Sequence, residues 1–231
     1  MKYLIVNGDD FGASRGVTRG ILEAHRDGIL TSTSMMVDMP DGERAADESR
    51  QHPRLGVGLH VAFTDEQEKP VIDFDDADGC RRELDRQFAR FVHLMDRPPT
   101  HLDSHHNVHR DPRVLPHFLA LAERHDLPLR GHSPARYFSN FYGQWDGQTH
   151  LEQISAENLL RMLASEVRPG VTELSCHPGY VDPDVASLYS IEREAELRTL
   201  CDPAVCRFLG EREIQLISFA DLPATIAPAG A

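Results

Sequence analysis

Leu4-Ile5-Val6-Asn7-Gly8-Asp9-Asp10-Phe11-Gly12 is the stretch that decides the fold. An apolar run ends in two adjacent carboxylates, then a glycine, then a helix signal at Ser14. A buried strand that delivers acids at its C-terminal end is how an α/β enzyme commonly begins an active site. Gly12 permits a sharp exit from the strand. Ser14 is of the N-cap type, and Val17, Ile21, Leu22 and Ala24 recur at helical spacing up to Gly28, a natural stop.

Outward from this unit, strands and helices keep alternating. Strands are predicted over residues 31–37, 55–63, 100–109, 127–130, 171–177 and 214–218, giving seven with the first. Helices are predicted over 41–51, 79–96, 112–126, 156–167, 190–201 and 203–210. In the strand at 55–63, Val57, Leu59 and Val61 share one face, while Gly56, Gly58 and His60 share the other, so His60 projects into glycine-lined space. In a strand at 100–109, His101, Asp103 and His105 point one way. At 171–177, Val171, Glu173, Ser175 and His177 do the same. Residues 64–78 read as a polar loop over a site. Residues 132–152 read as a long aromatic functional loop carrying Tyr137, Phe138, Phe141, Tyr142 and Trp145.

This alternation predicts a mostly parallel sheet with helices outside it, in one domain over residues 1–222, followed by a frayed tail at 223–231. A distorted β/α barrel and an open doubly wound sheet both fit. No GxGxxG follows the first strand and there is no Walker loop, which weakens a nucleotide-binding reading. Asp10-Phe11-Gly12 matches a kinase triplet by chance, since the other kinase segments are missing.

The 231 residues suffice for a single large core. With 24 basic against 37 acidic residues the net charge is -13, so the overall field does not draw nucleic acid or an anionic membrane surface. No apolar run approaches the roughly 20 residues that span a bilayer, and the N-terminus lacks a signal-peptide layout. A cytoplasmic protein is expected. The four cysteines form no CxxC and read as reduced thiols. For oligomeric state there is only the base rate, a homodimer.

Asp10, His60 and His105 each fall at the end of a predicted strand. Two imidazoles and a carboxylate are an ordinary ligand set for a divalent metal, with positions left for water and substrate. Asp9, beside a ligand, could take a proton and His177 could give one. Each has a plainer reading: Asp-Asp after a strand as a turn and helix cap, a lone strand histidine as a satisfied core residue. The run at 101–109, with four histidines and one aspartate in nine residues, is the stronger signal.

Taken together, Asn7-Gly8-Asp9-Asp10-Phe11-Gly12, Gly58-Leu59-His60, the run from His101 to His109 and Cys176-His177-Pro178-Gly179 resemble the YdjC-like carbohydrate deacetylases. That family includes chitooligosaccharide deacetylases. The motifs stand in family order, and Ser190 to Leu200 resembles the family's late helix. The resemblance implies a distorted (β/α) TIM-like barrel that removes an N-acetyl group from an amino sugar or chitooligosaccharide with one divalent metal ion, zinc or magnesium. It implies Asp10, His60 and His105 as metal ligands, Asp9 as the base that deprotonates the attacking water, and His177 as the acid for the leaving amine. Asp103 would steady a ligand histidine by accepting its second N–H. Arg193, Tyr142 and Trp145 would hold the sugar. Two departures are Gly8, where relatives often carry alanine, and Asn107, where many carry another histidine.

Two alternatives stand beside this reading. One is a metal-dependent hydrolase of a phosphoester, favouring a second metal ~3.5–4 Å from the first, with Asp103, His106 and His109 available to build it. The other is a sugar-binding protein without turnover.

Overall fold

In the computed structural model, which describes residues 1–182 and 189–222, the opening stretch forms β1 (Lys2–Phe11). The predicted tail at 223–231 lies outside the described residues. After β1 come α1 (Arg15–Asp27), β2 (Ser32–Met35), α2 (Gly42–Ser49), β3 (Gly56–Val61), α3 (Ala77–Met95), β4 (Leu102–Ser104), α4 (Leu115–His125) and β5 (Arg136–Phe138). A hairpin of β6 (Gln144–Trp145) and β7 (Gln148–Thr149), then α5 (Ala156–Glu166), β8 (Gly170–Cys176), α6 (Ile191–Leu200), α7 (Pro203–Glu211) and β9 (Ile214–Leu216) complete it. As expected, the Ser14 side chain caps α1 by accepting from Val17 N, and Gly28 ends it.

β1 is long enough to serve three neighbours. One edge pairs with β8 from Lys2 to Gly8; the other is shared by β9 along Lys2–Leu4 and β2 from Asn7 onward. The seven-stranded sheet runs β4-β3-β2-β1-β8-β5, with β9 also on β1, and every pairing is parallel. Leu102 bridges to Leu129, which lays residues 128–130 beside β4 and curls that edge towards β5. The result is a distorted, incompletely closed β/α barrel in a single domain.

The pattern predicts the strand number but not the full set. Residues 127–130 contribute one bridge rather than a strand. The segment expected to be an unpatterned loop, 132–152, contains β5 and the hairpin. Elements of two or three residues are too short to show a period. α4 begins at Leu115 rather than 112, with Pro116 in its first turn, where proline's missing N–H costs nothing.

Alternation along the strands sorts the core into two environments. Leu4, Val6, Val57, Leu59 and Leu174 pack outward beneath the helices in one large cluster. Inside the barrel, Ile5, Ala135, Val171, Phe219 and Leu222 form an apolar plug at the N-terminal end. Above that plug the interior becomes polar. The glycine-lined space on β3 is filled: a Cβ on Gly58 would meet the His101 ring at 2.4 Å, and that ring stacks on Phe219 at 3.9 Å. No helix among the described residues is long and apolar enough to cross a membrane.

Candidate active site

Successive residues of a strand face opposite sides, so Asp9 and Asp10 should not both reach one site. A register shift between Gly8 and Phe11 in the β1–β2 pairing, with Asp10 at φ 69°, turns both carboxylates into the barrel mouth. Aspartate is among the few residues that tolerate this left-handed conformation, and a bulge of this kind commonly re-aims a side chain beside an active site.

Asp9 is held from below. Arg130 donates from both terminal nitrogens to its two oxygens, at 2.7 and 2.8 Å, and Asn7 Nδ2 donates to Oδ1 at 2.8 Å. The same guanidinium reaches Asp103 at 2.9 Å and Glu173 at 2.7 Å, and it is fully buried. Burial disfavours its charge, but Asp103, Asp9 and Glu173 outweigh that and raise its pKa well above the usual range. One guanidinium cannot neutralise three carboxylates, and burial pushes Glu173 up to about 7.

Asp10 is surrounded differently. Its Oδ2 accepts from Arg193 at 2.7 Å, while its Oδ1 faces His105 Nδ1 at 3.2 Å and His60 Nε2 at 3.3 Å. Burial opposes its ionisation, but Arg193, His105 and His60 hold the carboxyl well below the ordinary range. Asp103 Oδ1 accepts from His60 Nδ1 at 2.7 Å, which turns Nε2 towards Asp10.

Asp10, His60 and His105 offer three ligand atoms within 4.8 Å of one another. Asp10 Oδ1 and His105 Nε2 are buried without a hydrogen-bond partner. Burial disfavours a proton on His60, yet Asp103, Asp10 and Asp9 push its pKa up to about 10. The pocket therefore favours positive charge beside His60 Nε2, as a proton or as a metal ion. These residues fit a divalent cation. A second group, Asp9, His60 and Asp103, also has metal-compatible spacing, but the Arg130 fork already supplies its cation.

The other histidines of the 101–109 run do not join. His109 Nδ1 bonds Ser104 Oγ at 2.6 Å and His106 Nδ1 bonds Thr64 Oγ1 at 2.9 Å. Burial lowers His101, His106 and His109 each to about 4, so they are neutral structural groups. His105 is not a strand residue; it opens a short turn in which His106 and Asn107 have φ of 51° and 53°. Asparagine is well suited to that conformation.

His177 stands across the mouth, with Nε2 3.9 Å from Asp9 Oδ2 and Nδ1 3.9 Å from Glu196 Oε1. Glu196 also accepts from the His177 backbone N–H and from Tyr189 OH. Burial disfavours the imidazolium, but Glu196, with Asp9 and Asp10, raises its pKa above 6.5. The turn after His177 is clamped by α1. A Cβ on Gly16 would lie 2.4 Å from Tyr180 O, and one on Gly20 would lie 2.5 Å from the Gly179 Cα.

A pocket of about 340 Å³ opens over these groups. Asp9, Asp10, His60, His105, His177, Arg193 and Tyr142 all line it, as do Glu66 and Glu68 from the polar loop at 64–78. Asp103 lies beneath the pocket, and Trp145 lines a neighbouring groove instead. Sequence reasoning missed Arg130, Asn7, Glu196 and Tyr189. A single arginine ending the apolar run at 127–129 was one available sign; Gly16 and Gly20, spaced to share a helix face, were another.

A family model described as YdjC-like protein matches residues 3–211. A carbohydrate deacetylase of Geobacillus stearothermophilus is 38% identical, covering 95% of this chain and 98% of its own. A chitooligosaccharide deacetylase of Serratia marcescens is 35% identical over 96% and 99%. Among solved structures, an Enterococcus faecalis protein described as a proposed cellobiose-phosphate cleavage protein superposes with a TM-score of 0.82 at 29% identity, over 96% and 98% of the two chains. A family 4 acetyl xylan esterase of Clostridium thermocellum, solved with a cobalt ion, shares the fold at a TM-score of 0.57 and 14% identity, over 96% and 91%.

Proposed function

The chain belongs to the YdjC-like family, and from that premise we propose that it hydrolyses the N-acetyl group of an amino sugar or short chitooligosaccharide. The carbohydrate deacetylases and chitooligosaccharide deacetylases among its near full-length relatives support the reaction class. The observation that carries the chemistry is the placement of a carboxylate and an imidazole, 3.9 Å apart, beside a buried group of metal-ligand type.

Asp10, His60 and His105 would hold one divalent ion, zinc or magnesium. Such an ion supplies Lewis acidity, lowering the pKa of a water to about 7 and polarising the acetyl carbonyl. Asp9 takes the proton of the attacking water. Arg130 and Asn7 occupy three of its lone-pair directions, and a carboxylate offers about four. The fork fixes the orientation of Asp9, which is what a base needs more than raw proton affinity. His177, whose imidazolium form Glu196 favours, gives its proton to the amine nitrogen as the C–N bond breaks. Acetate and a free amino sugar result. Asp103 orients His60, and Arg193 orients Asp10. Tyr142, 38% exposed and stacked on Tyr189 at 4.7 Å, offers the sugar an apolar face at the rim.

The Enterococcus neighbour's description raises a phosphorylated disaccharide as a second reading. The pocket argues against it. Asp9, Asp10, Glu66 and Glu68 line the opening, and its arginine, Arg193, is committed to Asp10. A phosphate dianion would enter against that field. His106 and His109 are turned to other partners, so no separate second-metal group forms among the described residues.

The test is acetate release from N-acetylglucosamine and short chitooligosaccharides by chelated and metal-reloaded protein, with phosphoesters in parallel. Release that stops on chelation and returns with metal is expected. Asp9→Asn should abolish turnover while leaving the metal bound; an active variant would remove Asp9 as the base. Phosphate release without acetate would reverse the choice between the two readings.

A further inference from the structure

Beside the catalytic pocket lies an open groove of about 450 Å³, and Ser139, Tyr142 and Gln144 line both. The two spaces are therefore continuous over the Tyr142 rim. The catalytic pocket by itself is near the lower end of ligand-site sizes, about 300–1,000 Å³.

The groove is built from a fixed aromatic ring and neutral amides. Trp145 lines it, 44% exposed. One indole face is covered by His150, whose ring lies parallel at 3.6 Å. The ring sits on the β6–β7 hairpin, closed by Asp146 and Gly147 at φ 52° and 69°, the mirror-image turn that suits two-residue hairpins. The hairpin is tied down at its base: His150 N donates to Gly143 O at 2.7 Å, and Thr149 Oγ1 to Glu192 on α6 at 2.5 Å. Opposite, Gln153 Nε2 donates to Asn140 O at 2.8 Å, and Asn158 Nδ2 donates to Gln153 at 2.8 and 3.0 Å. Of four asparagines and seven glutamines in the chain, two of each line this groove.

We infer that this groove is a second sugar-binding site, which seats a neighbouring ring of an oligosaccharide whose reacting residue occupies the catalytic pocket. The inference rests on the deacetylase reading for the reaction at the Asp9 end. A pyranose presents a C–H face and a ring of neutral hydroxyls. A fixed indole suits the first, and amides, which donate and accept in one plane, suit the second. Of the charged side chains at the groove, Arg161 is paired with Glu157 and Glu166 adds a carboxylate, so the lining disfavours an anionic ligand and admits a neutral one. Trp145 is thus a specificity residue for chain length and takes no part in the reaction.

The chain has a single tryptophan, so its fluorescence reports this groove alone. The Asp9→Asn protein, which leaves ligands intact, is titrated with N-acetylglucosamine, chitobiose and chitotriose. Emission should change with an oligomer and stay flat with the monosaccharide. In the otherwise native chain, Trp145→Ala should raise KM for the longer oligomer about tenfold and leave kcat unchanged. Asn158→Ala should move KM the same way. Silent fluorescence with every sugar, an equal response to the monosaccharide, or an unchanged KM in both variants overturns the groove. Normal acetate release with any of these leaves the deacetylase reading intact. An oligomer-specific fluorescence change without acetate from any substrate leaves the groove standing and removes the reaction.

Discussion

Asp9 and Asp10 are consecutive in the chain and equally buried, with side chains 7% and 4% exposed, yet they serve opposite ends. Asp9 is held from within the protein by an arginine fork and an amide, which fill three of its lone-pair directions. Asp10 gives one oxygen to Arg193 and turns the other, without a hydrogen bond, towards two imidazoles. The difference is one of partners rather than burial. The Arg130 side of the barrel is held by groups of the protein alone, and removing Arg130 leaves three carboxylates without their cation. On the proposed reading, the His60–His105 side is completed by a cation. Asp103 joins the two, accepting from His60 on one oxygen and pairing with Arg130 on the other.

The largest effect should come from breaking the Arg130 side. Arg130→Ala would strand three buried carboxylates, and removing one partner of a buried ion pair costs about 3–5 kcal/mol. A fall of many degrees in Tm, or insoluble protein, is expected. A variant melting within about two or three degrees of the parent would show that water or protonation relieves these acids cheaply. On the incomplete side, Asp10→Asn keeps an oxygen for Arg193 to donate to and should cost the fold less than Arg130→Ala. Its loss should appear as metal bound per chain well below one and turnover down by about 10²-fold or more. If Asp10→Asn melted as early as Arg130→Ala, the division between the two sides would fail.

The clamp on His177 ranks next. Gly20→Ala puts a methyl where the Gly179 backbone lies 2.5 Å away, so α1 or the His177 turn must move. Overpacking of this kind costs about 1–3 kcal/mol. A displacement of about 1 Å at a proton donor can cost 10²-fold in rate. The drop should fall on kcat with metal content unchanged, in contrast to Asp10→Asn.

What could be read without coordinates follows the same division. Asp9, Asp10, His60 and His177 stood out as candidates because each closes an apolar run at a strand end, where an α/β barrel puts its chemistry; His105 opens a turn after β4 and stood out only through the histidine-rich run around it. The fold was legible from long alternating elements. Arg130 was not, because its role depends on three carboxylates from three strands, and a lone arginine after Leu127-Pro128-Leu129 looks like the end of a surface strand. Glu196 was noted only within the late helix, since nothing local shows that Glu196 accepts from the His177 backbone. Four histidines in one run suggested more ligand candidates than the fold brings together with Asp10. Separating His105 from His101, His106 and His109 required the left-handed turn at 106–107. Trp145 was placed with the substrate, but the hairpin that sets it in the groove was too short to leave a period.

The smallest effect, and the one that tests His177 as the acid most directly, is on pH dependence. The imidazolium is disfavoured by burial and restored by Glu196, with help from Asp9 and Asp10, so its pKa lies above 6.5. A donor works only while protonated. Activity should therefore persist below that pKa and fall as pH rises through it. Glu196→Gln keeps one oxygen that accepts from the His177 backbone N–H, while its NH2 can donate to the Tyr189 hydroxyl oxygen, and it removes the charge. Burial then has less opposition, the pKa drops, and the alkaline limb of kcat/KM should move to lower pH by on the order of one unit, equivalent to about 1.4 kcal/mol. Asp9 and Asp10 remain, which is why the shift should be partial. A limb that did not move would mean that another group carries the proton to the amine.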